Sequence, residues 1–173
     1  MAKKKKKILN KQLKGILSIA GILLGLFAII TAFLPAIAIK DSDTTYTGLQ
    51  LAFGVKESAT ILGNTITAVI FEFSIMNLLT YAFLLGGVVF SVLSFINRGG
   101  KFASFIAMAL TLVAGIFFFL TISFSLPGEG LKDLASLFGG NVKESFVLAV
   151  GSIIGAITSL LSCACLSVRT FLK

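Results

Sequence analysis

The sequence predicts an all-α membrane protein: a bundle of four transmembrane helices with a small antiparallel β-sheet in the first extracellular loop and a short amphipathic helix in the second. Three observations predict it. Of the 173 residues 57% are hydrophobic and 13% charged, against about 45–50% and about 25% in soluble domains. So short a chain leaves much of its surface wet as a soluble domain and cannot hide that much apolar area. Secondly, the charges leave four long uncharged stretches, about 15–39, 73–97, 102–127 and 145–168. Each exceeds the roughly 20 helical residues that cross a hydrocarbon core, and backbone groups in lipid must bond within their own segment, which makes them helices. Thirdly, the charges are sorted by sign. Residues 1–14, 98–101 and 169–173 hold Lys and Arg without an acid, while all seven Asp and Glu fall in the loops 40–72 and 128–144. Basic residues beside spans stay on the cytoplasmic side, so the expected protein is multi-pass in the cell membrane with both termini cytoplasmic.

The N-terminal segment 1–14 reads as a cytoplasmic polybasic tail, and 15–173 as one transmembrane domain. Lys3, Lys4, Lys5, Lys6 and Lys7 hold the terminus inside and are the candidate contacts to anionic lipid headgroups, at about 1 kcal/mol per residue near the surface. A cleaved signal peptide is the competing reading, with Ala36-Ile37-Ala38 as its processing site. The apolar run is longer than the 7–15 residues of such a segment, which favours an uncleaved anchor. The formal net charge of +8 is therefore a record of orientation, and five Lys without an aromatic or Arg partner do not read as a nucleic-acid site.

Small residues recur every four positions along the spans. Gly21 and Gly25 lie on the first, Ala103, Ala107, Thr111 and Gly115 on the third, and Gly151, Gly155, Ser159, Cys163 and Ser167 on the fourth. Helices in lipid associate through close backbone approach rather than the hydrophobic effect, so Gly21, Gly25, Ala103, Ala107, Gly115, Gly151, Gly155 and Ser159 are the candidate packing residues. The stripes serve contacts within one bundle or a homo-oligomer equally. Phe33, Phe71, Phe73, Phe124 and Phe146 are expected at the outer membrane boundary, and Phe95, Phe102, Phe105 and Phe171 at the inner one. Asn77 and Tyr81 are expected to hydrogen-bond between helices. Cys163 and Cys165 stand two apart on a helix, which excludes a disulfide between them.

In the first loop Thr44–Gly54 alternates, with Leu49, Leu51 and Phe53 on one side and Tyr46, Gly48, Gln50 and Ala52 on the other. That period of two predicts a strand. Thr65–Phe73, rich in β-branched and aromatic residues, predicts a second strand. The pair Gly63-Asn64 predicts a turn, with a short strand at Thr60–Leu62 before it. The sheet is a lid or a recognition surface; for the latter Tyr46, Gly48, Leu49 and Gln50 are the candidates. In the second loop Leu131, Leu134, Leu137 and Phe138 share one helical face, closed by Gly139-Gly140, which predicts a two-turn interfacial helix. The tetrapeptide Val-Lys-Glu-Ser stands at 55–58 and again at 142–145, but that offset aligns a span with a loop and marks no repeat.

Four spans, a larger first outer loop with a small sheet and a shorter second one resemble the claudin-type tetraspan architecture. Gly48-Leu49 matches the Gly-Leu of the claudin first-loop motif; Gln50 replaces the Trp that follows, and the chain has no Trp and no Cys in that loop. The Lys-over-Arg, Phe- and Ile-rich usage and the lack of an Asn-x-Ser/Thr site resemble the small four-span membrane proteins of low-GC Gram-positive bacteria, a likeness that implies no activity.

The residue inventory then weighs the functions. The chain has no His, which removes imidazole as base, proton shuttle or metal ligand. No paired carboxylates, nucleophile–base pair or metal motif stands in its place, so no catalytic, cofactor or metal residue is expected and the protein is not expected to be an enzyme. Asp41 and Asp43 alone are too few oxygen ligands for Ca²⁺. Coupled transporters keep ionisable residues within the membrane, and none of the four stretches contains one. What remains is a non-catalytic scaffold, accessory subunit or self-assembling tetraspan, in contact with the lipid bilayer and with a membrane-protein partner or further copies of itself. A small passive channel or transporter formed by oligomerisation is the alternative.

Overall fold

The structure, a computed structural model, describes residues 2–40, 42–61, 64–96, 100–132 and 142–172, and side chains among these outside 2–9, 59–61 and 64–66. Its elements in chain order are α1 (Ala2–Ile30), a 3-10 turn (Thr31–Phe33), β1 (Pro35–Ile39), β2 (Thr45–Thr47), α2 (Gly48–Phe53), β3 (Val55–Ile61), β4 (Asn64–Phe71), α3 (Ile75–Phe95), α4 (Gly100–Phe119), α5 (Thr121–Phe124), a second 3-10 turn (Val142–Ser145), β5 (Phe146–Leu148) and α6 (Val150–Phe171). Among the described residues, four helical segments are long and apolar enough to cross a membrane: Asn10–Phe33, Ile75–Phe95, Gly100–Phe119 and Val150–Phe171. The chain is thus a four-span, mostly helical membrane protein with small antiparallel sheets between spans one and two. It divides into a helical unit, Met1–Ile30 with Thr80–Ile116 and Gly155–Lys173, and a sheet unit, Thr31–Leu79 with Phe117–Ile154.

Several span ends differ from the sequence expectation, each for a local reason. The first helix begins at Ala2 and ends at Ile30, where an unbroken span over 15–39 is expected. Lys is a good helix former and nothing between Ala2 and Lys14 breaks a helix, so the basic tail simply joins the span. At the other end Pro35 has no N–H to give and its ring would clash with the Thr31 carbonyl in a continued helix. The Leu34 N–H bonds the Thr31 carbonyl instead, at 3.0 Å, and Leu34, as the residue before proline, is pushed out of the helical region. Residues 35–39 then form β1. Likewise the fourth span is not helical from Ser145: Phe146–Leu148 is a strand, and α6 runs from Val150 to Phe171. The third span stops at Phe119. Leu120 turns (φ −91°, ψ 6°) before the short α5, and the Thr121 hydroxyl bonds back to the Phe118 carbonyl at 2.8 Å.

Within the helical unit the glycines mark where backbones meet. A Cβ on Gly21 would stand 3.2 Å from Leu166 of α6, and one on Gly25 2.7 Å from Val88 of α3. On α3, a Cβ at Gly87 would stand 2.7 Å from Thr111 of α4, and on α4 one at Gly115 would stand 2.8 Å from Leu160 of α6. The neighbours are therefore α1–α3, α3–α4, α4–α6 and α6–α1, a closed four-helix arrangement. Hydroxyls reinforce it: Ser159 donates to the Thr111 carbonyl and Ser162 to the Gly21 carbonyl, both at 2.7 Å. Such interhelical bonds contribute about 0.6 kcal/mol each on average, up to about 1.7.

In the sheet unit β1 is the centre of a three-stranded antiparallel sheet in the order β2-β1-β5. Ile37 pairs with Tyr46 on one side and with Leu148 on the other. β3 and β4 form a separate antiparallel hairpin, with Ile61 opposite Asn64. Residues 126–128 lie along the free edge of β4: Glu72 N–H bonds the Leu126 carbonyl and Gly128 N–H the Ile70 carbonyl, each at 2.9 Å. Both connections, the one after the first span and the one after the third, are thus woven into one unit by main-chain bonds. The core beneath is Ala36, Ile37, Tyr46, Leu51, Phe71 and Phe146. Burial at about 25 cal/mol per Å² of apolar surface is what holds so small a unit together.

Candidate functional site

The residues singled out for packing all lie against other parts of the chain or in buried positions. Ala103, Ala107, Gly155 and Ser159 are buried on α4 and α6. Gly151 is buried in the sheet unit, where a Cβ would stand 2.6 Å from the Pro35 carbonyl oxygen; it seats β1 rather than another helix. Cys163 is buried and Cys165 half-buried, both as free thiols.

The four recognition candidates of the first loop resolve differently. The alternation over Thr44–Gly54 is not a strand: only Thr45–Thr47 is extended, and Gly48–Phe53 is the helix α2. The reason is a capping box. The Thr47 hydroxyl accepts from the Gln50 N–H at 3.3 Å, and the Gln50 side-chain oxygen accepts from the Thr47 N–H at 2.8 Å, so two donors otherwise orphaned at a helix start are satisfied reciprocally. The Thr-x-x-Gln spacing is the signal that a period-two reading overlooks. Gly48 is buried at the start of that helix, Leu49 is half-buried, and Gln50, though exposed, is engaged as the cap. Thr47→Ala should cost about 1 kcal/mol and speed amide hydrogen exchange across 48–53, which exchange mass spectrometry reads directly.

Tyr46 is core, not a surface contact. It is 5% exposed and meets Phe71 edge-on with ring centroids 4.9 Å apart, while Phe71 meets Phe146 at 5.5 Å. Phe71 and Phe146 are therefore not boundary anchors as expected, whereas Phe33 and Phe73 stay exposed. Burial first, and the nearby Glu57 carboxylate second, push the Tyr46 phenol above its ordinary range. The folded state thus holds the Tyr46 proton more tightly than the unfolded chain does. That contribution is fully present below the unfolded value of about 10 and is lost as pH rises through the folded value. Unfolding followed against alkaline pH should show this decline, and Tyr46→Phe should flatten it.

Polar groups inside the sheet unit are bonded to one another. Ser74 donates to the Phe124 carbonyl at 2.7 Å, Asn77 to the Ser125 hydroxyl at 3.4 Å, and Ser125 to the Thr121 carbonyl at 2.8 Å. Buried hydroxyls and amides paired this way avoid the cost of an orphaned polar atom. Asn77 is 1% exposed and serves as internal glue. Lys40 Nζ joins the two connections by donating to the Glu144 carbonyl at 2.6 Å, and Lys143 Nζ closes the second on itself by donating to the Ser123 carbonyl at 2.8 Å. Lys132 and Glu72 face each other at 3.8 Å on the surface, a pair worth at most about 1 kcal/mol.

Among the described residues no three His, Cys, Asp or Glu side chains gather as a metal site. Residues 129–132 begin a helix; the rest of the amphipathic helix expected in the second loop lies outside the described residues, as do Asp41 and the side chains of Lys3 to Lys7. The chain matches no family model, and no curated protein or solved structure shows a significant similarity to it. Its own spans and sheets give its class: a multi-pass membrane protein with four helical spans and a woven sheet unit.

Proposed function

We propose that the protein is a non-catalytic subunit or scaffold of the cell membrane, which presents the sheet unit on the outer face and keeps both termini in the cytoplasm. One observation carries this reading. The helical unit closes on itself through glycine contacts and hydroxyl-to-carbonyl bonds, and no Asp, Glu, Lys, Arg or His stands between Gly15 and Ile39 or between Phe73 and Asn97. A coupled transporter needs such a residue inside the membrane, and an enzyme needs groups that exchange protons or attack. The sheet unit, by contrast, joins two connections by main-chain bonds over a buried aromatic core, which suits a partner better than a substrate.

Self-assembly in the manner of claudin-type proteins is supported by the layout of spans and sheet and not by the first-loop pair, since Gly48 is buried and Leu49 half-buried in α2. The rival is a passive channel made by several copies. Purified full-length protein in liposomes should pass ions and small solutes no faster than protein-free liposomes, and native-membrane nanodiscs should release it in a complex of fixed stoichiometry. Conductance would replace the subunit reading with the channel, and a monodisperse monomer from native membranes would contradict it.

A further inference from the structure

At one end of the helical unit, a cavity of about 540 Å³ is lined by Lys14 of α1, Ser94 of α3, Gly100, Lys101 and Ser104 of α4, and Arg169 of α6. We infer that this cavity binds a phosphoryl anion, with Lys14, Lys101 and Arg169 as its cationic ligands. The inference concerns the helical unit and stands apart from the scaffold reading above.

Arg169 is the first reason. Its Nη2 donates to the Ser94 carbonyl at 2.9 Å, which fixes the guanidinium against the last turn of α3. Its Nη1 is buried and makes no hydrogen bond among the described residues. Native structures rarely leave a buried donor without a partner, and an exception calls for an explanation such as an ion. A guanidinium with one edge held and one nitrogen still to be satisfied is suited to an oxyanion, because its donors lie in a planar fork that matches phosphate geometry.

The charge balance is the second. All seven Asp and Glu belong to the sheet unit, and the helical unit contains none. Three cations therefore converge on one cavity in a unit with no carboxylate side chain to neutralise them. The third is backbone. α4 starts inside the cavity at Gly100 (φ +55°), and the first N–H groups of a helix have no partner within it and favour negative charge. Ser94 and Ser104 hydroxyls bond each other there, so these neutral polar groups are already engaged, while among the described residues Lys14, Lys101 and Arg169 form no ion pair with an acid.

The cavity is larger than one phosphate, within the range of small-molecule sites, and Phe171, 67% exposed, lines it. A phosphoglycerol headgroup, with its chains along Phe171, and free inorganic phosphate present the same chemistry to it.

The test uses full-length protein in a neutral detergent, titrated with phosphatidylglycerol, phosphatidylcholine or inorganic phosphate and read by native mass spectrometry and by thermal unfolding. Wild type should keep one phosphatidylglycerol per chain in preference to phosphatidylcholine. Lys14→Gln with Lys101→Gln, and separately Arg169→Gln, should each weaken that binding roughly tenfold or more, the loss expected for charge-assisted bonds. Replacing Lys3 to Lys7 by Gln should leave the single tight site in place. Displacement of the lipid by millimolar phosphate assigns the site to free phosphate as well; lipid binding that phosphate does not displace assigns it to the headgroup. If Arg169→Gln fails to fold, the double lysine variant carries the test. Binding unchanged in the folded variants, or neither probe bound by wild type, would overturn the inference.

Discussion

Phe71→Ala should be among the most destabilising single substitutions in this protein, at about 3–5 kcal/mol for a buried Phe. The ring is 1% exposed and touches both Tyr46 and Phe146, so it joins β4 to the strands on either side of β1. Its loss opens a cavity that main-chain bonds on β1, β2 and β5 prevent from collapsing, and residual cavity is what makes such truncations costly. Thermal unfolding in detergent micelles should show a large fall in midpoint. Limited proteolysis should cut first in the sheet unit, with the helical unit protected. A loss below about 1 kcal/mol, the usual result at a surface position, would place Phe71 outside the core.

Gly128→Val should cost about 3 kcal/mol, the upper part of the range for forced overpacking. A Cβ at Gly128 would collide with the Val69 carbonyl oxygen and stand 2.7 Å from its carbonyl carbon. Both are backbone atoms of β4 and cannot rotate away. To make room, residues 126–128 must leave the edge of β4, breaking the bonds from Gly128 to Ile70 and from Glu72 to Leu126. Gly15→Ala is the control: nothing lies within 4 Å of a Cβ there, so it should leave stability unchanged or slightly raised. Equal effects at the two positions would remove the edge pairing from this account.

The spans were legible because the membrane reads composition. Long uncharged apolar stretches have one solution in lipid, although the flanking charges do not mark the helix ends: α1 stops at Ile30, α4 at Phe119, and α6 starts only at Val150. What was not legible is the fate of apolar residues that leave the membrane. Ala36, Ile37, Phe146 and Leu148 look like span ends by hydropathy, yet they build strands or a core. Hydropathy cannot tell a lipid-facing residue from one buried in protein. Pro35 held the clue to where α1 ends, and Thr47-x-x-Gln50 the clue to α2, both local signals outranked by a longer pattern. The β1–β5 pairing had no local signal, since its partners lie about a hundred residues apart. Val-Lys-Glu-Ser shows this most plainly: residues 55–58 are extended in β3, while 142–145 form a 3-10 turn. Tertiary pairing, not the tetrapeptide, decides. The candidate site residues divide in the same way. Gly21, Gly25 and Gly115 sit at helix contacts, while Gly151 of the same kind of stripe meets β1; Lys14, Lys101 and Arg169 converge from three helices and no spacing in the sequence announces them.

The most direct measurement of the central claim is the side of the membrane on which each connection lies. With Cys163→Ala and Cys165→Ser as background, Asp43→Cys and Gly99→Cys are labelled in intact cells with a maleimide that does not cross membranes. Four crossings with cytoplasmic termini predict that position 43 is labelled from outside and position 99 only after the membrane is opened. Labelling of both positions from the same side of an intact membrane would contradict the four-span account.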